Sequence, residues 1–254
     1  MNISVVIITK NEADIIANTL VSLQNFADDI VVVDSGSTDE TVAICKKYNA
    51  RVIETDWGGY GANKNKGNKA AKNDWILSLD ADEAINDELK NSLLLLKLDD
   101  DKKVFKIRRI NFFCNKQIRF GEWGFEKNIR LFNRQTAQWN NAAVHENLVF
   151  SEAVKVSVLK GGMLHYTVQN REDYNAKTDH YARMNAKKYI AAGKKAGFFK
   201  QYFSPVFAFI QHYIFRLGFL DGREGFIIAK TTARYTFLKY HYLKELNNNK
   251  NACV

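Results

Sequence analysis

The feature that most constrains this chain is a series of strand-like apolar runs near its start, three of which end on a polar or acidic residue. Ile3–Thr9 is continuous and rich in β-branched residues, Ile30–Asp34 repeats the pattern, Ala50–Glu54 is a shorter third run, and Trp75–Leu79 leads straight into Asp80. Between these runs, helical spacing is carried by Ile15, Ile16, Thr19, Leu20 and Leu23 within Glu12–Leu23, by the segment up to Tyr48, and by Ala62–Lys72. Ser37–Thr38–Asp39–Glu40 has the form of a capping box, which predicts a helix capped by Ser37 with Glu40 reaching back. Strand and helix alternating in this way is the rhythm of βαβ units and predicts a parallel sheet. Ligands of such sheets gather at the carboxyl ends of the strands, so Lys10–Asn11–Glu12, Asp34 and Asp80 are expected along one edge.

After a helix capped near Asn86 the pattern changes. Strand-like runs at Val104–Phe113 and Ile129–Phe132 predict that the sheet becomes mixed. From Asp173 onward the chain reads as helical, with breaks near Gly193 and Gly197, around Pro205 and at Gly218–Gly222. The expected class is therefore α/β: a Rossmann-like, mixed, mostly parallel sheet flanked by helices over residues 1–170, and a helical C-terminal extension over 171–254.

Composition narrows the setting. Hydrophobic and charged fractions of 46% and 26% over 254 residues suit a folded domain with a sizeable core. Cys45, Cys114 and Cys253 are odd in number and lack metal-type spacing, which favours a reducing, cytoplasmic setting over a disulfide framework. Met1 leads into the first apolar run without a basic n-region or a small-residue cleavage site, so that run reads as a strand and not a signal peptide. No apolar run approaches the roughly 20 residues of a membrane span. The net charge of +9 is concentrated: Gly193–Val254 carries ten Lys and Arg against Asp221, Glu224 and Glu245, together with fourteen Phe and Tyr. Such a tail implies an anionic partner. The aromatic Tyr202–Phe219 run, with Arg216 inside it, suits an interfacial helix at the inner face of a membrane, or a cover for the first domain. Nucleic acid is not expected, since the aromatics cluster in apolar runs and no RNA-binding motif is present. Asn247–Asn251 reads as a frayed end.

Three segments carry candidate chemistry. Asp80–Ala81–Asp82, leaving a buried strand with Glu83 beside it, offers hard oxygen ligands for Mg²⁺ or Mn²⁺ where a diphosphate would be neutralised. The same acids also suit a helix start. Asp34–Ser35–Gly36–Ser37–Thr38–Asp39 joins a strand end to a glycine turn, and its acids can meet a base or ribose or simply shape the turn. Gly58–Asn65 is a glycine-rich approach to a helix that brings Lys64 towards phosphate or sugar hydroxyls, although it lacks P-loop spacing.

Ser4–Glu12, Val33–Asp39 and Trp75–Glu83, taken in order, resemble the motifs of family-2 glycosyltransferases of the GT-A fold, and the likeness extends past residue 240. The branch most resembled acts in lipopolysaccharide core and related surface-glycan assembly and includes β-glucosyltransferases. The resemblance implies that Thr9, Glu12, Asp34 and Asp39 line a nucleotide pocket, with Lys64 near the nucleotide-sugar. It also implies that Asp80 contacts the nucleotide-sugar, that Asp82 ligates the metal and that His165 completes the metal shell. Glu146, in Val144–His145–Glu146, resembles the branch's acceptor-side His-Glu motif and would be the catalytic base, with Asp82 and Glu83 as competitors. Trp123–Lys127 falls where relatives place an aromatic acceptor loop, but it lacks their Pro-Asp step. The expected activity is inverting transfer of a hexose, glucose favoured, from a UDP-sugar to a lipid-linked or oligosaccharide acceptor. The alternatives are a sugar-nucleotide pyrophosphorylase and a non-catalytic membrane-surface module.

Overall fold

The computed structural model describes residues 2–140, 146–168 and 171–252. Val144, His145 and Cys253 therefore lie outside the described residues, as does the junction expected at residue 170. The chain forms two compact units. One comprises the chain up to Arg109 together with Lys127–His165, and the other comprises Ile110–Glu126 together with the chain from Tyr166 onward.

The first unit begins with β1 (Ile3–Thr9), α1 (Ile16–Ser22), β2 (Asp29–Asp34), α2 (Thr41–Lys47), β3 (Arg51–Glu54), α3 (Tyr60–Ala70) and β4 (Trp75–Asp80). Along the chain then follow β5 (Glu83–Ile85), α4 (Asp87–Leu94), β6 (Lys103–Phe113), β7 (Lys116–Gln117), β8 (Lys127–Asn133), β9 (Ala137–Trp139), β10 (Leu148–Phe150) and β11 (Lys155–Val168), of which β7 and the ends of β6 and β11 fall in the second unit. β1 pairs in parallel with β2 and β4, and β2 with β3, whereas β8 joins β4 antiparallel. The sheet order among the described residues is β3-β2-β1-β4-β8-β6-β11-β5, with β7 on β6 and with β9 and β10 forming a separate ribbon. This is the expected mixed sheet flanked by helices, parallel through β3-β2-β1-β4 and antiparallel where β8, β6, β7 and β5 pair.

Alternation along the strands divides the core into two faces. Val5, Ile7, Leu77 and Leu79 pack with Ile16 and Leu20 of α1 and Leu89 of α4. Val6, Ile8, Val31, Val33 and Ile76 face the other way, towards Phe132 and Trp139. Gly67 lets α3 lie close on this second face, because a Cβ there would overlap Cγ1 of Val6.

Two helix starts differ from expectation. α1 begins at Ile16, since the Glu12 carbonyl accepts the amides of Ile15 and Ile16 in a turn that precedes the helix. α2 begins at Thr41, and the capping box does not form. Asp39 instead accepts from the Thr41 amide at 3.0 Å and the Thr41 hydroxyl at 2.5 Å. The Ser37 hydroxyl is occupied elsewhere, donating to Asp34 and accepting the Asn11 amide.

The second unit contains α5 (Arg171–Ala191), α6 (Phe198–Ile210), a π-helical turn at Gln211–Phe215, a 3-10 turn at Gly218–Asp221, and α7 (Gly222–Ala252). α7 packs along α5 and α6. Pro205 lies inside α6 and does not end it; the proline removes one donor without stopping the helix. α7 likewise continues through Asn247–Asn251, where a frayed end was expected. The Ile110–Glu126 excursion is held within this unit by polar anchors. Asp221 accepts the amides of Arg119 and Phe120, at 3.1 and 2.8 Å, and Lys116 binds the Asp221 carbonyl and Glu224.

Candidate functional site

β1 and β2 end side by side, with Thr9 in register with Asp34. Thr9 is buried and its hydroxyl has no partner among the described residues. Asp34 is also buried, and its carboxylate accepts from the amides of Gly36 and Ser37 at 3.0 and 2.9 Å and from the Ser37 hydroxyl. The two loops clasp one another. Asn11, held at φ 53°, accepts from the Thr38 amide; the Glu12 amide donates to the Thr41 hydroxyl; and Asp39 accepts the Ala13 amide. Thr9, Glu12, Asp34 and Asp39 are thus brought to one rim, where Asp34 and Asp39 also shape the loops that carry them.

α3 ties this rim to the next strand end through three consecutive residues. Asn63 donates to the Ser35 hydroxyl at 2.8 Å, and Asn65 locks Trp139 by a paired exchange with its backbone. Between them Lys64, almost fully buried, reaches Glu146 at 2.7 Å and Asp80 at 3.1 Å, with its ammonium 4.7 Å from the centre of the Trp139 ring. Gly61 makes this approach possible, because any side chain there would overlap the Asn140 carbonyl.

The acids after β4 have separate surroundings. Asp80 faces Arg130 at 2.9 Å and Arg109 at 3.6 Å as well as Lys64. Burial pushes its carboxyl upward, but Arg130, Lys64 and Arg109 outweigh that and hold it well below the ordinary carboxylate range. Glu83 is fully buried; it accepts from Arg109 and Arg130 through one oxygen and from the Asp80 amide through the other. Those bonds correct its reading as a metal-side or basic acid: it is the internal counter-charge of two arginines, since a buried carboxylate must be paired. Arg130 is raised in turn, with burial opposing its charge and Asp80 and Glu83 overriding that effect.

Asp82 turns a different way. β5 pairs antiparallel with β11, with Glu83 opposite His165, and this register brings His165 Nε2 to 3.2 Å from Asp82 Oδ2. Among the described residues no cluster of three or more His, Cys, Asp or Glu side chains is arranged to hold a metal. The pair nonetheless suits a cation, because neighbouring ligands on an octahedral ion bound at about 2.1 Å lie about 3 Å apart. Its remaining ligands would be phosphate and water, as such ions prefer.

A cavity of about 520 Å³ opens beside Asp80, Lys64 and Glu146 and is walled by Lys106, Arg109, Lys127, Arg130 and Trp139 among others. Of these basic residues the sequence marked only Lys127, as the end of the expected acceptor-loop segment, and not Lys106, Arg109 or Arg130. The signal was present in Arg130, a charge inside the apolar Ile129–Phe132 strand, which can be buried only with acids against it. Trp123, expected in an acceptor loop, packs instead between Phe113 and Tyr174 within the second unit, and Phe125 is exposed.

Residues 4–161 match the family described as Glycosyl transferase family 2. An uncharacterized glycosyltransferase of Rickettsia felis is 33% identical over 253 residues, covering 96% of this chain and 89% of its own. The lipopolysaccharide core biosynthesis glycosyltransferase LpsC of Rhizobium meliloti is 30% identical, with 93% and 89% covered. A crystal structure of S. aureus TarS with UDP-GlcNAc overlies 98% of this chain and 92% of its own at 19% identity, with a TM-score of 0.46. On the family match and these sequence relatives together, the chain belongs to glycosyl transferase family 2.

Proposed function

We propose that this enzyme transfers a hexose, glucose favoured, from a UDP-sugar to a hydroxyl of a lipopolysaccharide core or related surface glycan, with inversion at the anomeric carbon. The observation that carries the reading is the Asp80–Lys64–Glu146 bridge, which sets an acid at the mouth of a cavity next to the strand end that precedes Asp82. Glu146 takes the proton from the acceptor hydroxyl as its oxygen attacks the anomeric carbon. The bond from that carbon to the diphosphate oxygen breaks, and its electron pair leaves with UDP. Asp82 and His165 would hold Mg²⁺ or Mn²⁺, which neutralises the departing diphosphate. Thr9, Glu12, Asp34 and Asp39 frame the nucleotide. The likeness to LpsC supports the choice of acceptor, and family membership argues against the pyrophosphorylase alternative.

The exposed aromatics of α6 support a further element, peripheral contact with an anionic membrane at which a lipid-linked acceptor is met. No described helix is long and apolar enough to cross a membrane.

The test is release of UDP from UDP-glucose and other UDP-sugars, with Mn²⁺, upon addition of core oligosaccharides. The product's anomeric configuration is read by NMR. A β-linked product from an α-linked donor is expected. Donor binding without transfer to any acceptor would favour a non-catalytic binding module, and an α-linked product would remove the inverting mechanism.

A further inference from the structure

The cavity beside Asp80 is more basic than its ion pairs require. Lys64, Lys106, Lys127, Arg109 and Arg130 line it, while the carboxylates in or directly beneath its wall are Asp80, Glu83 and Glu146. Those acids pair with Lys64, Arg109 and Arg130, and among the described residues no ion pair engages Lys106 or Lys127. Lys106 is half-buried on β6 and Lys127 is exposed at the start of β8, on neighbouring antiparallel strands. Two donors of wall residues, Arg130 Nε and Trp139 Nε1, are buried without an acceptor among the described residues. Like charges gathered in a concave, partly buried site repel one another, and an anionic ligand relieves that repulsion.

Topology says which ligand this is. The loops that frame the nucleotide in the proposed function follow β1 and β2, on one side of β4; Lys106 and Lys127 stand on β6 and β8, on its other side. A sugar poised at Asp80 would have its nucleotide on the first side and its acceptor on the second. Resting on that reading of the site, we infer that the cavity is an acceptor subsite selective for a sugar bearing an anionic group, phosphate or carboxylate, which Lys106 and Lys127 bind.

The experiment titrates glucose, glucose 6-phosphate and glucuronate into the full chain, saturated with UDP and Mn²⁺, followed by ligand-detected NMR. At least one of the two anionic sugars is expected to bind about tenfold or more tightly than glucose, and the stronger one identifies the group as phosphate or carboxylate. The preference should vanish in K106Q/K127Q and persist in K106R/K127R. Equal binding of the three sugars to the native chain, or a preference that survives K106Q/K127Q, overturns the inference. So does an equal weakening of UDP binding in K106Q/K127Q, which would assign the lysines to the donor. UDP binding is measured on the same samples by thermal shift. If UDP fails to bind while the anion preference depends on the lysines, the subsite stands and the transfer reading falls.

Discussion

Lys64 Nζ lies 2.7 Å from Glu146 Oε1 and 3.1 Å from Asp80 Oδ1, so one buried ammonium joins the strand-end acid to the acid proposed as base. Lys64→Met would strip Glu146 of its buried ammonium and leave Asp80 to Arg130 and Arg109. Breaking such a pair from one side costs about 3 to 5 kcal/mol. Glu146→Gln keeps an acceptor for Lys64, so its stability cost should be nearer ~1 kcal/mol, while removal of a general base lowers turnover by about 10²-fold or more. Urea denaturation and UDP release, measured on both variants, separate the two roles. Near-native turnover in Glu146→Gln would end its assignment as the base.

The Asp82–His165 pair predicts a metal dependence with its own signature. With Asp82→Asn, the rise in melting temperature that Mn²⁺ adds to UDP binding should disappear, because a ligand stabilises only the state it binds. His165→Gln should weaken the apparent Mn²⁺ affinity by about 10-fold or more if it is a ligand. Manganese titrations followed by thermal shift check both, and an unchanged Mn²⁺ dependence in Asp82→Asn would remove the metal from this position.

The parts of the site that were legible in the sequence are those fixed by local pattern. Continuous apolar runs located β1, β2 and β4, and the residues that end them, Thr9, Asp34 and Asp80, follow directly from strand length. What escaped depended on pairing between distant segments. Nothing local distinguishes Glu83 from Asp82, yet one is sealed beneath Arg109 and Arg130 while the other turns to His165. The capping box failed for the same reason, because Asn11, 26 residues away, accounts for the Ser37 hydroxyl. Asn63 and Asn65 look like ordinary polar helix residues until α3 is laid against Ser35 and Trp139.

A pH dependence follows from Asp29, whose buried carboxylate accepts from Ser4 at 2.6 Å, the Lys72 amide at 2.7 Å and Arg51 at 2.8 Å. Burial pushes its carboxyl up, but these donors together hold it below the ordinary value. A carboxyl lowered on folding contributes stability above its unfolded value and loses it as pH falls through the folded one. Native stability should therefore decline as pH falls below the ordinary carboxylate value of about 4. Asp29→Asn should cost about 2 kcal/mol at neutral pH, and that difference should shrink across the same acid window. Urea midpoints at several pH values report it; a difference constant with pH would mean that the charge is not what the site uses.

The last prediction concerns α6, where Phe199, Phe203 and Phe207 recur every fourth residue and therefore share one helix face. Their exposures are 73%, 59% and 63%, and Phe199 stacks on Phe203 with ring centres 5.3 Å apart. Exposed Lys194, Lys195 and Lys200 lie at or just before the start of this helix. Rings that enter the acyl boundary with lysines at the headgroups give binding that depends on both apolar area and anionic lipid. The chain should co-sediment with vesicles containing about one-third phosphatidylserine, and more weakly with purely zwitterionic ones. Substituting the three phenylalanines with serine should reduce the bound fraction on both kinds of vesicle. Substituting the three lysines with glutamine should act only on the anionic ones and mimic the effect of added salt. Binding that ignores the phenylalanines but follows the lysines would reduce the contact to surface attraction and remove α6 from the membrane.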